Sequence, residues 1–230
     1  MISNLIVKRT NHIKEYLEFN KPEEYPYDIN HMVNWANIIS AQNLSKGQKF
    51  RVLELGTKRS KNDTPTHKKN LFKHIKNLEY VMTDYQEGLD VDVVCDIHKT
   101  EGVFVDESFD LILSFSTFEH FKYPQLCSHN LMKMLKVGGR IVIQTHQTFP
   151  LHGYKYDYFR FSREALKSIF SNKMNFSTVT SYFSFPCAIV PHIDYGVWND
   201  VAESYLNVVY IGEKNNKTPF EYIYDIENDN

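Results

Sequence analysis

The chain has 230 residues, of which 42% are hydrophobic and 23% charged, and these values are typical of one soluble globular domain with a sizeable core. Its 26 Lys and Arg residues nearly balance its 28 Asp and Glu residues, which gives a formal net charge of −2. Such a chain lacks the positive field that non-specific binding to nucleic acid or anionic membranes requires, so we expect neither as a partner.

The N-terminal part of the chain is expected to be helical. Trp35, Ile38 and Ile39 recur at helical spacing, which indicates one apolar face. Residues 1–48 are therefore predicted to form a helical cap. The cap precedes a core of residues 49–212, and the two together make a single domain.

Seven short β-rich segments follow the cap, and the first five alternate with loops and helix-like segments. This alternation is typical of a parallel sheet with helices on both faces. The predicted strands are residues 51–55, 79–83, 91–95, 109–115, 141–144, 176–183 and 205–211.

Three helices are predicted between these strands. One begins at Thr64-Pro65, because proline favours the first helical position. A second begins at Pro124 and ends at Gly138-Gly139, where a left-handed cap is expected, and a short third helix begins near Ser162. The core carries insertions at residues 146–162 and 186–200, and residues 213–230 are predicted to form a polar C-terminal tail.

Polar residues follow the apolar runs at the ends of the first strands. Glu54 and Gly56 end the first strand, Asp84 the second and Asp96 the third. Ligands of open parallel sheets bind at the carboxyl ends of the strands, so these residues are candidates for one binding site. The two oxygens of the Asp84 carboxylate can accept hydrogen bonds from both hydroxyls of a ribose.

Four successive segments resemble the motifs of the Rossmann-like, class I S-adenosylmethionine-dependent methyltransferases of the type 11-like group. They are VLELGTKRS, EYVMTDYQEGLDVDVVCDIH, FDLILSFSTFEHF and LKVGGRIVIQT, within about residues 50–170. The loop HGYKYDYFRFS, residues 152–162, is similar to that of a branch with the pattern HGYxYDYxRFS. The resemblance implies a doubly wound, mostly parallel seven-stranded sheet whose last strand is antiparallel.

The resemblance also implies S-adenosylmethionine as the cofactor and S-adenosylhomocysteine as the product. Asp84 is expected to hold the ribose, and the turn after the first strand is expected to lie under the methionine part. That turn departs from the family pattern, because it has one glycine, Gly56, where several are usual. The implied cofactor residues are Glu54, Gly56, Thr57, Asp84, Tyr85, Asp96, Ile97, Ser114 and Phe115.

Methyl transfer from a sulfonium needs an aligned acceptor and, if the acceptor is a hydroxyl, a group that takes its proton. We predict His152 as this base, with Asp157 orienting or replacing it. His120 and His146 are its rivals. Arg160 is expected to bind an anionic group of the substrate, and the alternative is a salt bridge to Asp157 that makes the loop rigid.

The predicted substrate side therefore comprises His120, His146, Tyr156, Tyr158 and Arg160. The tyrosines are candidate walls for a sugar or nucleotide ring, and packing in the core is the alternative. No metal is expected, because the histidines and carboxylates show no compact ligand spacing in the sequence.

These residues predict methyl transfer to oxygen rather than nitrogen of a small polar metabolite, such as a phosphorylated or nucleotide-linked glycan precursor. One alternative is a non-catalytic cofactor-binding or scaffold protein that kept the fold. Another is an RNA or protein methyltransferase, which should show a basic groove and an added recognition domain. A homodimer is compatible with the sequence.

Cys95, Cys127 and Cys187 are widely spaced and odd in number, which argues against a disulfide framework or a zinc signature. No apolar run reaches the roughly 18 residues of a membrane span, and the first residues do not resemble an export signal. We expect the protein to lie in the cytoplasm.

Overall fold

A computed structural model describes residues 29–59, 64–153, 155–189 and 202–224 of the chain. Residues 1–28 of the predicted cap, residues 190–200 of the second insertion and residues 225–230 of the predicted tail lie outside the described residues.

The described residues form three α-helices and seven strands. The helices are α1 (Ile29–Ser45), α2 (Pro124–Met134) and α3 (Arg163–Ile169). The strands are β1 (Phe50–Leu55), β2 (Leu78–Asp84), β3 (Val93–Val94), β4 (Phe109–Phe115), β5 (Leu135–His146), β6 (Phe176–Ile189) and β7 (Ala202–Lys214). Short 3-10 helices lie at Lys69–Phe72, Phe118–His120 and Asn172–Met174. No helix in these ranges is long and apolar enough to cross a membrane.

The strands form one sheet in the order β3-β2-β1-β4-β5-β7-β6. β1 pairs in parallel with β2 and β4, and the β2–β3 and β4–β5 pairs are also parallel. β7 lies antiparallel between β5 and β6. The predicted seven-stranded, mostly parallel sheet with an antiparallel last strand is confirmed. Strand order reverses between β1 and β4, which is where open α/β sheets bind ligands.

The sheet is covered on both faces, as predicted. On one face, Phe50 of β1 shares an apolar cluster with Met32 of α1. On the other face, Leu53 of β1 shares a cluster with Leu131 of α2 and Leu166 of α3. The near-continuous burial of β1 and β4 follows from this double covering, because a central parallel strand meets helices on both sides.

The prediction of a helix that begins at Thr64-Pro65 is wrong. The chain from residue 64 to residue 68 is irregular, and only Lys69–Phe72 forms a 3-10 turn. The carboxylate of Glu54 accepts a hydrogen bond from the backbone N–H of Lys68 at 2.8 Å, which fixes the chain in a non-helical path before the turn. Phe72 and Ile75 are still buried in the core. Their spacing in the sequence therefore indicated buried positions but not a helix.

The predicted end of the second helix is also wrong. α2 ends at Met134, and Gly138-Gly139 lies within β5. The pairing of β4 with β5 shifts register between Phe109 and Leu111, and Gly138 adopts a φ of 79° there. The glycine pair therefore belongs to a β-bulge rather than a helix cap.

The third strand is shorter than predicted, with only Val93–Val94 in the sheet. The Asp92 carboxylate accepts a hydrogen bond from the Met82 N–H at 2.9 Å. Next to the short pairing, the Met82 N–H is therefore bonded by a side chain and not by a backbone carbonyl of the third segment.

The C-terminal strand is longer than predicted. β7 continues to Lys214, whose ammonium is buried and donates hydrogen bonds to the carbonyls of Met132 and Leu135 at 2.9 and 2.7 Å. Beyond the strand, the Tyr222 hydroxyl donates to the Ile169 carbonyl at 2.8 Å. Residues 213 and 214 thus lie in the sheet, and part of the polar C-terminal segment packs on α3.

Candidate functional site

A cleft of about 650 Å³ lies at the carboxyl ends of β1, β2 and β4. Its position follows from the topology, since the reversal of strand order between β1 and β4 leaves a crevice above the sheet. Five of the nine residues predicted to bind the cofactor line this cleft: Gly56, Asp84, Tyr85, Asp96 and Ile97.

The other four lie close to the cleft in sequence but are not part of its lining. Glu54 is buried, and its Oε2 accepts a hydrogen bond from the Tyr80 hydroxyl. Thr57 donates to the Asp90 carbonyl at 2.7 Å. Ser114 is fully buried in β4, and the ring of Phe115 lies 4.9 Å from the Lys68 ammonium. Burial raises the pKa of Glu54, although the Tyr80 and Lys68 contacts counteract the shift.

Gly56 allows a close approach at the turn that follows β1. Its φ is 68°, and a Cβ placed there would lie 2.1 Å from the Thr117 hydroxyl oxygen. Thr117 also lines the cleft. One glycine therefore meets both requirements of this turn, a left-handed conformation and a near contact with the loop after β4.

Asp84 presents its carboxylate at the cleft with support from the backbone. Oδ2 accepts a hydrogen bond from the N–H of Lys58 at 3.2 Å, and Oδ1 accepts one from the N–H of Gln86 at 3.1 Å. Each oxygen keeps a further lone pair. The next residue, Tyr85, packs against Tyr156 of the first insertion with ring centroids 6.1 Å apart, so the loop meets the end of β2 at the cleft.

Asp96 is held at the cleft by its own segment. Its Oδ1 contacts the Nδ1 atom of His98 at 2.7 Å and accepts the His98 backbone N–H at 3.0 Å. Burial alone raises the pKa of Asp96, but these contacts outweigh it and the net pKa is lowered. His98 itself lines the cleft, and it was not among the residues predicted from the sequence.

Three histidines surround one buried carboxylate beside the cleft, and we define this histidine cluster as Glu119, His120, His146 and His152. The Glu119 Oε1 atom lies 3.0 Å from His146 Nε2, 3.6 Å from His152 Nε2 and 3.8 Å from His120 Nε2. The second oxygen of Glu119 accepts a hydrogen bond from the Thr145 hydroxyl at 2.7 Å. Only His120 of the cluster lines the cleft.

The fold brings the histidine cluster together from three segments. Glu119 and His120 lie in the 3-10 turn after β4, and His146 is the last residue of β5. The first insertion returns over them, where the backbone N–H groups of Tyr158 and Phe159 donate to the Glu119 carbonyl at 3.1 Å. β4 and β5 are neighbours in the sheet, so their carboxyl ends meet.

Glu119 is ionised despite its burial. Burial alone raises the pKa of its carboxyl, but the contacts with His146 and Thr145 outweigh this effect and lower the pKa below its ordinary value. Burial likewise lowers the pKa of His146, and the Glu119 carboxylate more than reverses that shift. Glu119 and His146 therefore stabilise each other's charged forms behind the cleft wall.

Asp157 and Arg160 hold the first insertion in shape. Arg160 donates from Nη1 and Nη2 to the two oxygens of Asp157 at 2.5 and 2.8 Å, and from Nε to the Phe149 carbonyl at 3.1 Å. Asp157 also accepts the backbone N–H of His152 at 2.9 Å. The Arg160 guanidinium holds the pKa of the Asp157 carboxyl well below its usual range. Of the two alternatives for Arg160, the structure contains the salt bridge.

Tyr156 and Tyr158 line the cleft together with His120, so three of the five residues predicted on the substrate side face it. His146, Arg160 and the predicted pair His152 and Asp157 lie behind the lining.

Glu119, the centre of the histidine cluster, is not among the catalytic, cofactor or substrate residues predicted from the sequence. One signal was available, because a Glu-His pair follows the fourth strand and a histidine ends the fifth. Adjacent parallel strands place such residues together. Because Glu119 and His146 are 27 residues apart in the sequence, their proximity becomes evident only in the folded chain.

Comparison with known proteins agrees with the fold. A family model described as a methyltransferase domain matches residues 67–143. A SAM-dependent methyltransferase from Archaeoglobus fulgidus superposes with a TM-score of 0.53, at 16% identity over 78% of this chain and 94% of that chain. Comparison with curated proteins finds no match.

Two other solved structures share the fold. The 1,6-didemethyltoxoflavin-N1-methyltransferase of Burkholderia thailandensis, solved with S-adenosylhomocysteine, has a TM-score of 0.50, at 15% identity over 93% of this chain and 90% of that chain. The DszA carbon methyltransferase has a TM-score of 0.53, at 14% identity over 85% of this chain and 57% of that chain. The family model covers residues 67–143 of the 230-residue chain, and these solved structures share the fold of the chain.

Proposed function

We propose that this protein is a methyltransferase that moves the methyl group of S-adenosylmethionine to an oxygen of a small polar metabolite, such as a phosphorylated or nucleotide-linked glycan precursor. The observation that carries the proposal is the histidine cluster, which reaches the cofactor cleft through His120. A hydroxyl acceptor has to lose a proton during methyl transfer, and a positioned histidine can assist that loss.

The donor determines what the protein has to supply. The methyl group of a sulfonium is already activated, so the site must align an acceptor lone pair with the S–CH3 bond and exclude water. An amine acceptor in its neutral form brings its own reactive lone pair. A hydroxyl is a much weaker nucleophile, and a positioned group that assists loss of its proton contributes roughly 10²–10⁴-fold to the rate.

The placement of the cofactor follows from the cleft residues. Asp84 would bind the ribose hydroxyls, since each of its oxygens keeps a free lone pair towards the cleft. Asp96 and Ile97 would flank the adenine, and Gly56 would lie under the methionine part. This order leaves the side of the cleft formed by His120 and Tyr156 for the acceptor.

The size of the cleft and the net charge of the chain support a small acceptor. A volume of about 650 Å³ is within the range of roughly 300–1,000 Å³ that is usual for small-molecule sites. Tyr85, Tyr156 and Tyr158 provide aromatic faces with hydroxyl tips, which suit the faces and edges of a sugar or nucleotide ring. The formal net charge of −2 does not favour an RNA acceptor.

The fold does not decide the acceptor atom, because structures with this fold include an N1-methyltransferase and a carbon methyltransferase. A direct test therefore offers the full chain methyl-labelled S-adenosylmethionine and acceptors in matched pairs, each with a hydroxyl or an amine at one position. We expect label in the hydroxyl members. Label confined to the amines would overturn the proposal.

A variant tests the part played by the histidine cluster. His120→Gln should lower kcat for a hydroxyl acceptor by about 10² or more and leave S-adenosylhomocysteine affinity unchanged. His74→Ala is the matched control, because His74 is exposed and contacts Asn37 of α1. An unchanged kcat in His120→Gln would show that the cluster does not assist transfer.

A further inference from the structure

We propose that Glu119, His120 and His152 bind a divalent transition-metal ion of the Zn²⁺ type, and that this ion activates the acceptor hydroxyl. The activation rests on the function proposed above, whereas the binding of the ion does not. The histidines and carboxylates show no compact ligand spacing in the sequence, but the fold brings Glu119, His120 and His152 together.

The donor atoms of Glu119, His120 and His152 are grouped closely enough to surround one ion, at separations somewhat longer than those of bound ligands. Zn–N and Zn–O bonds of about 2.0–2.1 Å at tetrahedral angles place the ligand atoms roughly 3.3 Å apart. The Glu119 Oε1 atom lies 3.6 Å from His152 Nε2 and 3.8 Å from His120 Nε2, and the three donor atoms lie within 4.8 Å of one another. Binding of an ion would therefore draw the two ring nitrogens closer to the Glu119 oxygen than they are in this structure.

The hydrogen bonds at the far side of each ring leave the correct nitrogen for a metal. His120 Nδ1 lies 2.7 Å from the Tyr156 carbonyl, and His152 Nδ1 lies 3.2 Å from the Pro150 carbonyl. A carbonyl can only accept, so both Nδ1 atoms carry the hydrogen. In the neutral rings the Nε2 lone pairs then point towards Glu119, as in metal sites whose histidines are oriented by backbone carbonyls.

The buried Oε1 atom of Glu119 lacks a hydrogen-bond partner among the described residues, and a cation would supply one favourable contact. The residue is fully buried, and among the residues that the structure describes none gives its Oε1 atom a hydrogen bond of regular geometry. Three ring nitrogens nevertheless surround this oxygen at 3.0 to 3.8 Å. His146 contacts this oxygen favourably, but the neutral rings of His120 and His152 would present lone pairs to it and repel it, and a metal ion between them would convert that repulsion into coordination.

The donor set favours Zn²⁺ over Mg²⁺, because imidazole nitrogen suits zinc whereas magnesium prefers oxygen ligands. Three protein ligands leave one coordination position, as in catalytic zinc sites. The side chains of His120 and His152 are 28% and 29% exposed, and His120 lines the cleft. The remaining position would therefore face the acceptor.

Gly153 lets the first insertion pass over this site. A Cβ at this position would lie 3.0 Å from His120 Cε1, and the residue has a φ of 58°. A side chain at residue 153 would crowd the His120 ring and add backbone strain, so glycine favours this close passage of the loop. His146, at 3.0 Å from Glu119 Oε1, positions the carboxylate from the buried side.

The chemistry balances without any redox step. A metal-bound hydroxyl has a lowered pKa, and its O–H bond breaks with the proton passing to water. The alkoxide oxygen then forms the O–CH3 bond while the S–CH3 bond breaks with its electron pair remaining on sulfur. The products are the methyl ether and neutral S-adenosylhomocysteine.

The test measures the metal directly. The full chain is treated with a chelator, exchanged into metal-free buffer and titrated with Zn²⁺ by calorimetry, and Co²⁺ is used as a visible spectroscopic probe. We expect one Zn²⁺ per chain and the absorption of tetrahedral Co²⁺. His152→Ala should weaken binding by at least roughly tenfold, and His74→Ala should not. Lack of saturable binding, or equal binding by His152→Ala, would overturn the metal site.

Two further readouts separate this inference from the proposed function. Binding of S-adenosylhomocysteine by the His152→Ala protein reports that it is folded, since His152 does not line the cofactor cleft. Methyl transfer to a hydroxyl acceptor that stops on chelation and returns with Zn²⁺ supports activation by the ion. Transfer that continues at full rate in the chelated protein would overturn the activation while the proposed function stood.

Discussion

Asp84 and Asp157 carry the same carboxylate group, yet their surroundings give the two residues different uses. Asp84 accepts hydrogen bonds from two backbone N–H groups, and it lines the cleft with one further lone pair on each oxygen. Asp157 is bound by both arms of the Arg160 guanidinium and by the His152 backbone. The first residue is available to a ligand, and the second is committed to the loop.

Substitution of Asp84 should weaken cofactor binding without unfolding the chain. Hydrogen bonds to a charged group are worth about 1.5–3 kcal/mol, so Asp84→Ala should reduce S-adenosylhomocysteine affinity by at least roughly tenfold. Calorimetric titration measures the affinity, and circular dichroism checks the fold. Glu87→Ala, an exposed carboxylate in the same segment, serves as the control. Unchanged affinity in a folded Asp84→Ala protein would refute the ribose assignment.

Substitution of Arg160 should affect the stability of the loop. Lysine keeps the charge but cannot make the two-armed contact with Asp157, so Arg160→Lys should lower the free energy of unfolding by about 1–3 kcal/mol. Denaturant unfolding measures this change, with Arg163→Lys on α3 as the matched control. A raised KM for a phosphorylated acceptor at unchanged stability would instead indicate that Arg160 binds substrate.

At the scale of elements, the turns after β1 and β4 depend on each other. The Gly56 backbone approaches Thr117 so closely that no side chain fits between them. The same loop after β4 carries Glu119 and His120 and accepts the first insertion through the Glu119 carbonyl. The turn after β1, the histidine cluster and the first insertion are thus connected by direct contacts.

Two glycines with the same backbone conformation test this connection. Gly47 and Gly56 both have a φ of 68°, but a Cβ at Gly47 would meet nothing within 4 Å. Gly47→Ala should therefore cost only the left-handed strain of about 1–2 kcal/mol. Gly56→Ala adds a collision with Thr117, so it should cost more and also weaken S-adenosylhomocysteine binding. Denaturant unfolding and calorimetry measure both effects, and equal costs would contradict the close approach.

The errors of element prediction have identifiable causes. Gly138-Gly139 is equally compatible with a helix cap and a β-bulge, and only the pairing of β5 with β4 decides between them. The apolar spacing of Phe72 and Ile75 predicted a helix, but a long-range hydrogen bond from Lys68 to Glu54 set the path of the chain. Both decisions depend on partners that are distant in sequence.

At the scale of the whole molecule, the sheet was predictable because its pattern is local. Mainly apolar segments such as β1 and β4 indicate strands that are buried on both faces, and the polar residues at their ends indicated the ligand edge. The cofactor side of the cleft follows from that logic. The histidine cluster does not, because Glu119, His146 and His152 come from separate segments that only the completed fold brings together.

Lys214 connects the end of the sheet to the core and gives a pH-dependent test. Burial lowers the pKa of its ammonium below the ordinary value, although contacts with Glu107 counteract the shift. Lys214→Met should lower the free energy of unfolding by about 1–3 kcal/mol, because the Met132 and Leu135 carbonyls lose their donor.

The sign of the pH effect follows from the lowered pKa. Between the folded pKa of Lys214 and its unfolded value of about 10.4, the unfolded chain binds more protons, so stability rises with pH. The wild-type protein should therefore gain stability relative to Lys214→Met as the pH rises through this window. Denaturant unfolding at several alkaline pH values measures the difference. A difference that shrinks would contradict the burial effect.

The central claim is that the cleft at the ends of β1, β2 and β4 binds S-adenosylmethionine for methyl transfer. Calorimetric titration of the full chain with S-adenosylhomocysteine tests it most directly. The account predicts saturable binding at one site per chain that Asp84→Ala weakens and Glu87→Ala does not. The lack of binding by well-folded protein would contradict it, and would show that a single glycine after β1 does not admit the cofactor.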